Sequence, residues 1–455
     1  MSAAAQQLEQ TPEEKNMVIS SASADVRRRR AVAGAFVGTA IEWYDFFIFG
    51  TAAALVFGPV FYPDASPAVG VLASFATFWV GFLTRPIGGV LFGHLGDRVG
   101  RKKVLVTTLF LMGVGTTGVG LLPTYAQVGI LAPALLVLLR SAQGLAVGGE
   151  WAGATLMATE NATVSKRTSA GMWVQQGSPA GSILATLIFL LVGTLPTQQL
   201  MTWGWRVPFL LSAVLLVVGL FIRSKVEESE DFREAKQHHN VVRVPVVAVV
   251  RTAPGVVLFG IAASTLAISS AFFQNTFLLS WWTSELSRPR QEVLLLGLVM
   301  AIFQFIWQPI AARIASRIGR DQVMMLGATL SLVVTVPYFL AILSGNIWLV
   351  GTAMLVLVVG GASYYAMLAS YLSAAFPPNV RYTGVALANG LCAMIIGGST
   401  PLLAQAILGV AGPWGVATFF ASLSTVTLVG LTGMRWILRR RTDPANAEST
   451  LTRTL

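Results

Sequence analysis

The 455-residue chain is 55% hydrophobic and only 11% charged, too little polar surface for a water-soluble globule of that length. Its formal charge of +11 comes from basic residues gathered in particular loops, so it reads as a signal of membrane orientation, with anionic lipid headgroups as secondary contacts, and not as a nucleic-acid footprint. The single cysteine, Cys392, excludes an internal disulfide, and one cysteine with three scattered histidines (His94, His238 and His239) excludes the usual metal-ligand spacings.

Residues 1–30 are polar and form an N-terminal tail. Apolar runs long enough to cross roughly 30 Å of hydrocarbon as helices, and too long for membrane strands, then recur through the chain. Six are expected near 31–58, 68–92, 104–122, 128–158, 169–195 and 205–223. The first has no cleavage signature and is followed at once by further spans, so it stays as a membrane helix. A polar linker at 225–250 follows, with a short surface helix expected through Glu227 to Lys236. Six more spans are expected near 255–283, 291–312, 323–343, 346–375, 383–410 and 413–438, before a polar tail at 439–455. The fold class is therefore an all-α integral membrane bundle of about twelve helices, in halves 31–224 and 251–438.

Basic loops at Arg27–Arg30, Arg98–Lys103, Lys166–Arg167, the linker, Arg313/Arg317/Arg320, Arg381 and Arg439–Arg441 alternate with loops almost free of Lys and Arg. The basic side is expected to be cytoplasmic, with both termini inside. Arg288 and Arg290, with Arg206 at a span start, are the exceptions. The halves also echo each other: Asp97-Arg98-Val99-Gly100-Arg101 has a counterpart in Ser316-Arg317-Ile318-Gly319-Arg320, and Arg167-Thr168-Ser169-Ala170-Gly171 in Arg381-Tyr382-Thr383-Gly384.

Charges inside the apolar runs carry the functional argument. Glu42 lies about twelve residues beyond Arg30, roughly 18 Å along a helix and so near mid-membrane, with Asp45 one turn further. Arg85, Arg140 and Glu150 are also placed inside spans. At about 2.5–3.5 kcal/mol each, five such groups facing lipid would cost on the order of 12–17 kcal/mol, so they must face one another or a wet cavity. Asp45 is the leading proton-carrying carboxylate and Glu42 the alternative, because neighbouring carboxyls in a dry site can shift toward neutrality. Arg85 and Arg140 are candidates for a substrate carboxylate, which guanidinium binds bidentately. Each has a plainer reading as a helix-helix ion pair, or for Arg85 as a side chain snorkelling to the surface. Gln175, Gln176, Gln274, Asn275, Gln304, Gln308, Tyr364, Tyr365 and Asn389 could complete a cavity or simply bond neighbouring helices. Trp43 and Trp79 could stack on a ring-shaped substrate, whereas Trp281 and Trp282, close to a span end, fit an interfacial belt better.

The run Gly93-His94-Leu95-Gly96-Asp97-Arg98-Val99-Gly100-Arg101-Lys102-Lys103 resembles the signature loop of the major facilitator superfamily. Four further runs, Glu42-Trp43-Tyr44-Asp45-Phe46-Phe47, Arg85-Pro86-Ile87-Gly88-Gly89, Arg140-Ser141-Ala142-Gln143-Gly144 with Gly148-Gly149-Glu150-Trp151, and Trp203-Gly204-Trp205-Arg206-Val207-Pro208-Phe209, resemble its metabolite:proton symporters, which include shikimate, α-ketoglutarate, citrate and proline/betaine carriers. The resemblance implies two pseudo-symmetric six-helix bundles rocking about a central site. It also implies a conformational latch at Gly93, Asp97, Arg98, Gly100 and Arg101, and proton coupling through Asp45, Glu42, Arg140 and Glu150. The substrate site would draw on Arg85, Arg140, Trp43, Tyr44, Trp79, Gln143, Trp151 and the polar residues named above.

The expected function is proton-coupled uptake of a small organic acid, shikimate or a related mono- or dicarboxylate, by a monomer that needs no cofactor beyond protons. A proline/betaine symporter and an exporter of the same fold are the alternatives. The short tail after Arg441 lacks the heptads of a coiled coil, which favours the acid. No phosphate-binding Gly-x-x-x-x-Gly-Lys-Ser/Thr run and no catalytic constellation occur, so the chain reads as neither a nucleotide-driven pump nor an enzyme.

Overall fold

The computed structural model describes residues 12–99, 101–148, 155, 167–224, 245–377 and 380–442, with side chains placed from residue 32 onward except at 93–94, 96–99, 101–102, 223–224, 245–248 and 441–442. Glu150, Trp151, Gly100, His238, His239 and the expected surface helix at 227–236 lie outside the described residues, as do the side chains of Asp97, Arg98 and Arg101. Ten stretches are long and apolar enough to cross a membrane. The last of these, Arg381–Arg440, is two helices divided at Gly412 (φ 66°, ψ −168°). Together with the shorter apolar helix Leu131–Val147, this gives twelve among the described residues.

In the first half they are α1 (Val32–Leu55), α2 (Pro67–Phe92), α3 (Lys103–Gly120), α4 (Leu131–Val147), α5 (Arg167–Val192) and α6 (Thr197–Ile222). The second half holds α7 (Pro254–Glu285), α8 (Arg290–Ile318), α9 (Arg320–Ser344), α10 (Ile347–Ala375), α11 (381–411) and α12 (413–440). A short helix, Pro245–Thr252, leads into α7.

Several boundaries differ from the sequence-based expectation for local reasons. The fourth span does not begin at 128. Residues Tyr125–Val128 form a separate turn capped by Thr124, and Gly129 at φ +60° breaks the chain before α4. α8 runs through Pro309 to Ile318, beyond the expected end at 312. The signature run is helical backbone up to Val99, continuing α2, where a loop was expected.

Lipid offers apolar helices no hydrophobic reason to associate, so close backbone packing does that work. α2 and α4 meet through glycines: a Cβ at Gly88 would strike the Leu145 carbonyl, and one at Gly144 would strike the Gly81 carbonyl and Thr84 Oγ1. α9 and α10 meet in the same way at Gly327 and Gly360. The two halves touch along α1/α7, α2/α11, α5/α8 and α5/α10, and residues of both line a cleft between them.

Candidate transport site

α1 is the centre of the charged site. Asp45, 2% exposed, accepts hydrogen bonds from Thr116 Oγ1 of α3 at 2.7 Å and Ser212 Oγ of α6 at 2.9 Å. Gln143 Nε2 of α4 donates to the same Thr116 oxygen at 2.7 Å, and Arg140 NH1 donates to Gln143 Oε1 at 3.2 Å. Arg140, 1% exposed, also donates from Nε to the Phe78 carbonyl at 3.4 Å. A hydrogen-bonded relay thus runs Ser212–Asp45–Thr116–Gln143–Arg140 through the first half. Its members are intrahelical neighbours only at Arg140 and Gln143, so it ties four helices together.

Glu42 takes a different direction. Its Oε1 lies 3.6 Å from Arg85 NH2. Arg85 therefore pairs inside the protein and does not reach for the surface. The guanidinium carbon of Arg85 stands 4.3 Å from the Phe46 ring centroid and 4.4 Å from that of Phe82. Arg140's stands 4.7 Å from Phe46 and 4.2 Å from Phe49. Two cations and two carboxylates are thus gathered around one phenylalanine-rich wall, where ring quadrupoles add to the ion attraction. Glu42 thus contacts Arg85 of α2, and Asp45 is bonded by Thr116 of α3 and Ser212 of α6, with the two acids one turn apart on α1.

The cleft is narrow in this structure and is lined by both halves. α5 contributes Ser178 and Ser182, α7 Ser270, Gln274 and Asn275, α8 Gln304, α9 Ser331 and α10 Tyr365, with Phe47 of α1 and Phe420 of α12 among the apolar wall. All of its polar lining is hydroxyl or amide. Gln274 and Asn275 sit in a π-helical turn, Phe273–Phe277, a local widening that recurs at functional sites. Trp43 joins the charged wall to the cleft: its ring stacks on Phe272 at 5.7 Å and meets Tyr365 edge-on at 6.4 Å.

Of the residues singled out from the sequence, Gln274, Asn275, Gln304 and Tyr365 line the cleft. Arg140, Gln143 and Tyr44 are buried inside the first half, away from that lining. Tyr44 donates to the Pro208 carbonyl at 2.6 Å, which fixes α1 to α6. Trp79, Gln175 and Gln176 bridge the halves, donating to the carbonyls of Met394 (2.8 Å), Tyr365 (3.3 Å) and Phe305 (2.7 Å). Tyr364 is fully buried in the second half, and Asn389 is half-buried on α11; neither lines the cleft. Trp281 and Trp282 are 2% and 0% exposed, which overturns the interfacial-belt reading. Trp281 packs on Phe277 and Phe339, and Trp282 donates to Glu292 Oε2 at 3.2 Å.

Thr116, Ser212, Phe46, Phe82 and the cleft serines were not anticipated. Serine and threonine in membrane helices usually bond their own turn, as Thr116 also does to the Met112 carbonyl. Only Phe46, one residue from Asp45 in a quoted run, carried a sequence signal.

Residues 35–401 match the family model described as the Major Facilitator Superfamily. The chain is 38% identical over 394 residues to the shikimate transporter of Escherichia coli K12, covering 85% of this chain and 90% of that protein. It is 33% identical over 392 residues to the proline/betaine transporter of Salmonella typhimurium LT2, covering 84% and 78%. A solved D-xylose-proton symporter superposes with a TM-score of 0.69 at 17% identity, covering 89% of this chain and 96% of that one. With its twelve helices in two halves around a polar cleft, the chain belongs to the Major Facilitator Superfamily, in the branch of metabolite transporters, and is not an enzyme.

Proposed function

We propose that the chain is a proton-coupled symporter that brings a small organic acid, shikimate or a related mono- or dicarboxylate, across a bacterial inner membrane by alternating access. The basic loops would face the cytoplasm, with both termini inside, and the monomer would be the working unit. The observation that carries this reading is the buried relay from Asp45 through Thr116 and Gln143 to Arg140. Protonating Asp45 removes a negative charge from a dry network that contains a cation, so the packing preferred by the first half depends on whether a proton is bound. That is the coupling a symporter needs.

The acid would enter the hydroxyl- and amide-lined cleft, which suits a hydroxylated ring. Its carboxylate would compete with Glu42 for Arg85. Glu42 Oε1 stands 3.6 Å from Arg85 NH2, and the guanidinium fork offers a substrate carboxylate bidentate geometry. The signature run from Gly93 to Arg101 would brace the basic face. A zwitterion such as betaine is the second reading, favoured by the cluster of Trp43, Phe47, Phe272 and Tyr365, since aromatic rings attract quaternary ammonium.

The test is uptake into proteoliposomes given only a pH gradient. Shikimate should accumulate against its own gradient, Asp45→Asn should abolish that accumulation, and substrate exchange at equal concentrations should survive in the variant. Retention of full uphill transport by both Asp45→Asn and Glu42→Gln would overturn the coupling assignment.

A further inference from the structure

α8 carries a proline at Pro309, so the Phe305 carbonyl four residues earlier lacks the helical N–H that would otherwise bond it. The other half of the protein supplies a substitute: Gln176 Nε2 of α5 donates to Phe305 O at 2.7 Å. One turn beyond Gln304 of the cleft wall, on the same face of α8, lies Gln308. It is 0% exposed, and neither its Nε2 nor its Oε1 has a hydrogen-bond partner among the described residues. The Oε1 of Gln176 is in the same position.

A buried amide with both ends unbonded is costly, and a methionine or leucine would fill the same volume without that cost. The groups therefore make sense in a different state of the molecule. α5 and α8 belong to opposite halves, and α8 runs from Arg290 on the far face to Arg317 on the basic face. Parting the halves toward the basic face breaks the Gln176–Phe305 bond. It exposes the Phe305 carbonyl, the Gln308 amide and Gln176 Oε1 together, about one helical turn (~5.4 Å) beyond the cleft.

The geometry points to a second hydrogen-bonding station for hydroxyl-bearing organic acids, built from Gln308, the Phe305 carbonyl freed by Pro309, and Gln176, which the substrate occupies between the cleft and the basic face. Gln308 is its specificity-determining residue. This rests on the proposed transport of a hydroxylated acid through the cleft.

Proton-driven uptake of shikimate, of shikimate analogues lacking one ring hydroxyl, and of betaine separates the outcomes. Gln308→Met keeps the volume, and it should raise the KM for shikimate about tenfold while leaving Tm unchanged or higher. For at least one deoxy analogue the KM should change less than about twofold, because the lost partner is already missing. Pro309→Ala returns an N–H to the Phe305 carbonyl, and it should raise the shikimate KM by about threefold; this variant decides the matter if Gln308→Met does not fold. Equal KM shifts for all compounds, or a changed Tm with unchanged KM, would overturn the station while leaving the transport reading intact. Wild-type uptake of betaine alone also overturns the station, since betaine has no hydroxyl to hold. Wild-type accumulation of none of these compounds defeats the transport reading, and the station with it.

Discussion

Phe46 has the guanidinium groups of Arg85 and Arg140 both within 5 Å of its ring centroid, and the carboxylates of Glu42 and Asp45 on its own turn of α1. Positions this crowded hold only if the backbones behind them are fixed, and glycines do the fixing. Gly81 lies against the Arg140 side chain, so that a Cβ there would come within 2.6 Å of its Nε, and Gly144 on α4 faces the Gly81 carbonyl and Thr84 Oγ1 on α2. Gly144→Ala must therefore push α2 and α4 apart, moving Arg85 and Arg140 relative to α1. The expected loss is about 1–3 kcal/mol of stability, seen as a lower Tm in detergent, together with a larger fall in uptake than in melting temperature. Gly409→Ala is the control, because nothing lies within 4 Å of a Cβ built at Gly409, and neither quantity should change. If Gly144→Ala transports as well as the control, the α2/α4 contact does not set the arginine positions.

At the scale of elements, two of the three arginines that broke the charge pattern of the loops, Arg206 and Arg290, hold helix ends. Arg206 NH1 donates to the Gly120 carbonyl at 2.9 Å and to the Leu122 carbonyl, at the end of α3. Arg290 of α8 donates to the Gly193 carbonyl at 2.8 and 3.1 Å and to Leu195 at 3.0 Å, joined by Gln291 Nε2 at 2.9 Å to Gly193. A cation at a helix C-terminus satisfies orphan carbonyls and complements the dipole, so these residues have a structural reason to sit on the far face. The Arg290 contacts also join α8 to α5 across the two halves, and opening toward the far face must break them. Arg290→Ala should therefore shift the equilibrium toward the far-open state, on the order of 1–3 kcal/mol. With Cys392→Ser as background and Ser182→Cys as the probe on the cleft wall, labelling by a membrane-impermeant maleimide added from the far side should accelerate about tenfold. An unchanged labelling rate would show that closure on that side is held elsewhere.

For the whole molecule, sequence made most of the architecture legible because lipid enforces it: charges inside apolar runs are so costly that Glu42, Asp45, Arg85 and Arg140 had to be inward and grouped. What it hid depends on contacts between distant helices. Nothing local marks Thr116 or Ser212 as partners of Asp45, and the Phe305 carbonyl freed by Pro309 becomes a site only when Gln176, 129 residues away, is brought to it. Trp281 and Trp282 were misread because a span-end rule assumes lipid on the outside, whereas Phe339 of α9 packs against the first and Glu292 of α8 bonds the second. The same whole-molecule view separates the two substrate readings by charge. A monoanion moving with one proton carries no net charge, whereas a zwitterion with one proton carries one, worth about 2.3 kcal/mol per 100 mV. In proteoliposomes clamped with potassium and valinomycin at a fixed pH gradient, shikimate uptake should therefore be indifferent to an imposed inside-negative potential. Acceleration by that potential would mean that net positive charge enters with each shikimate and therefore that at least two protons accompany the monoanion; a single proton on Asp45 would then not balance the cycle, and Glu42 would have to carry the second.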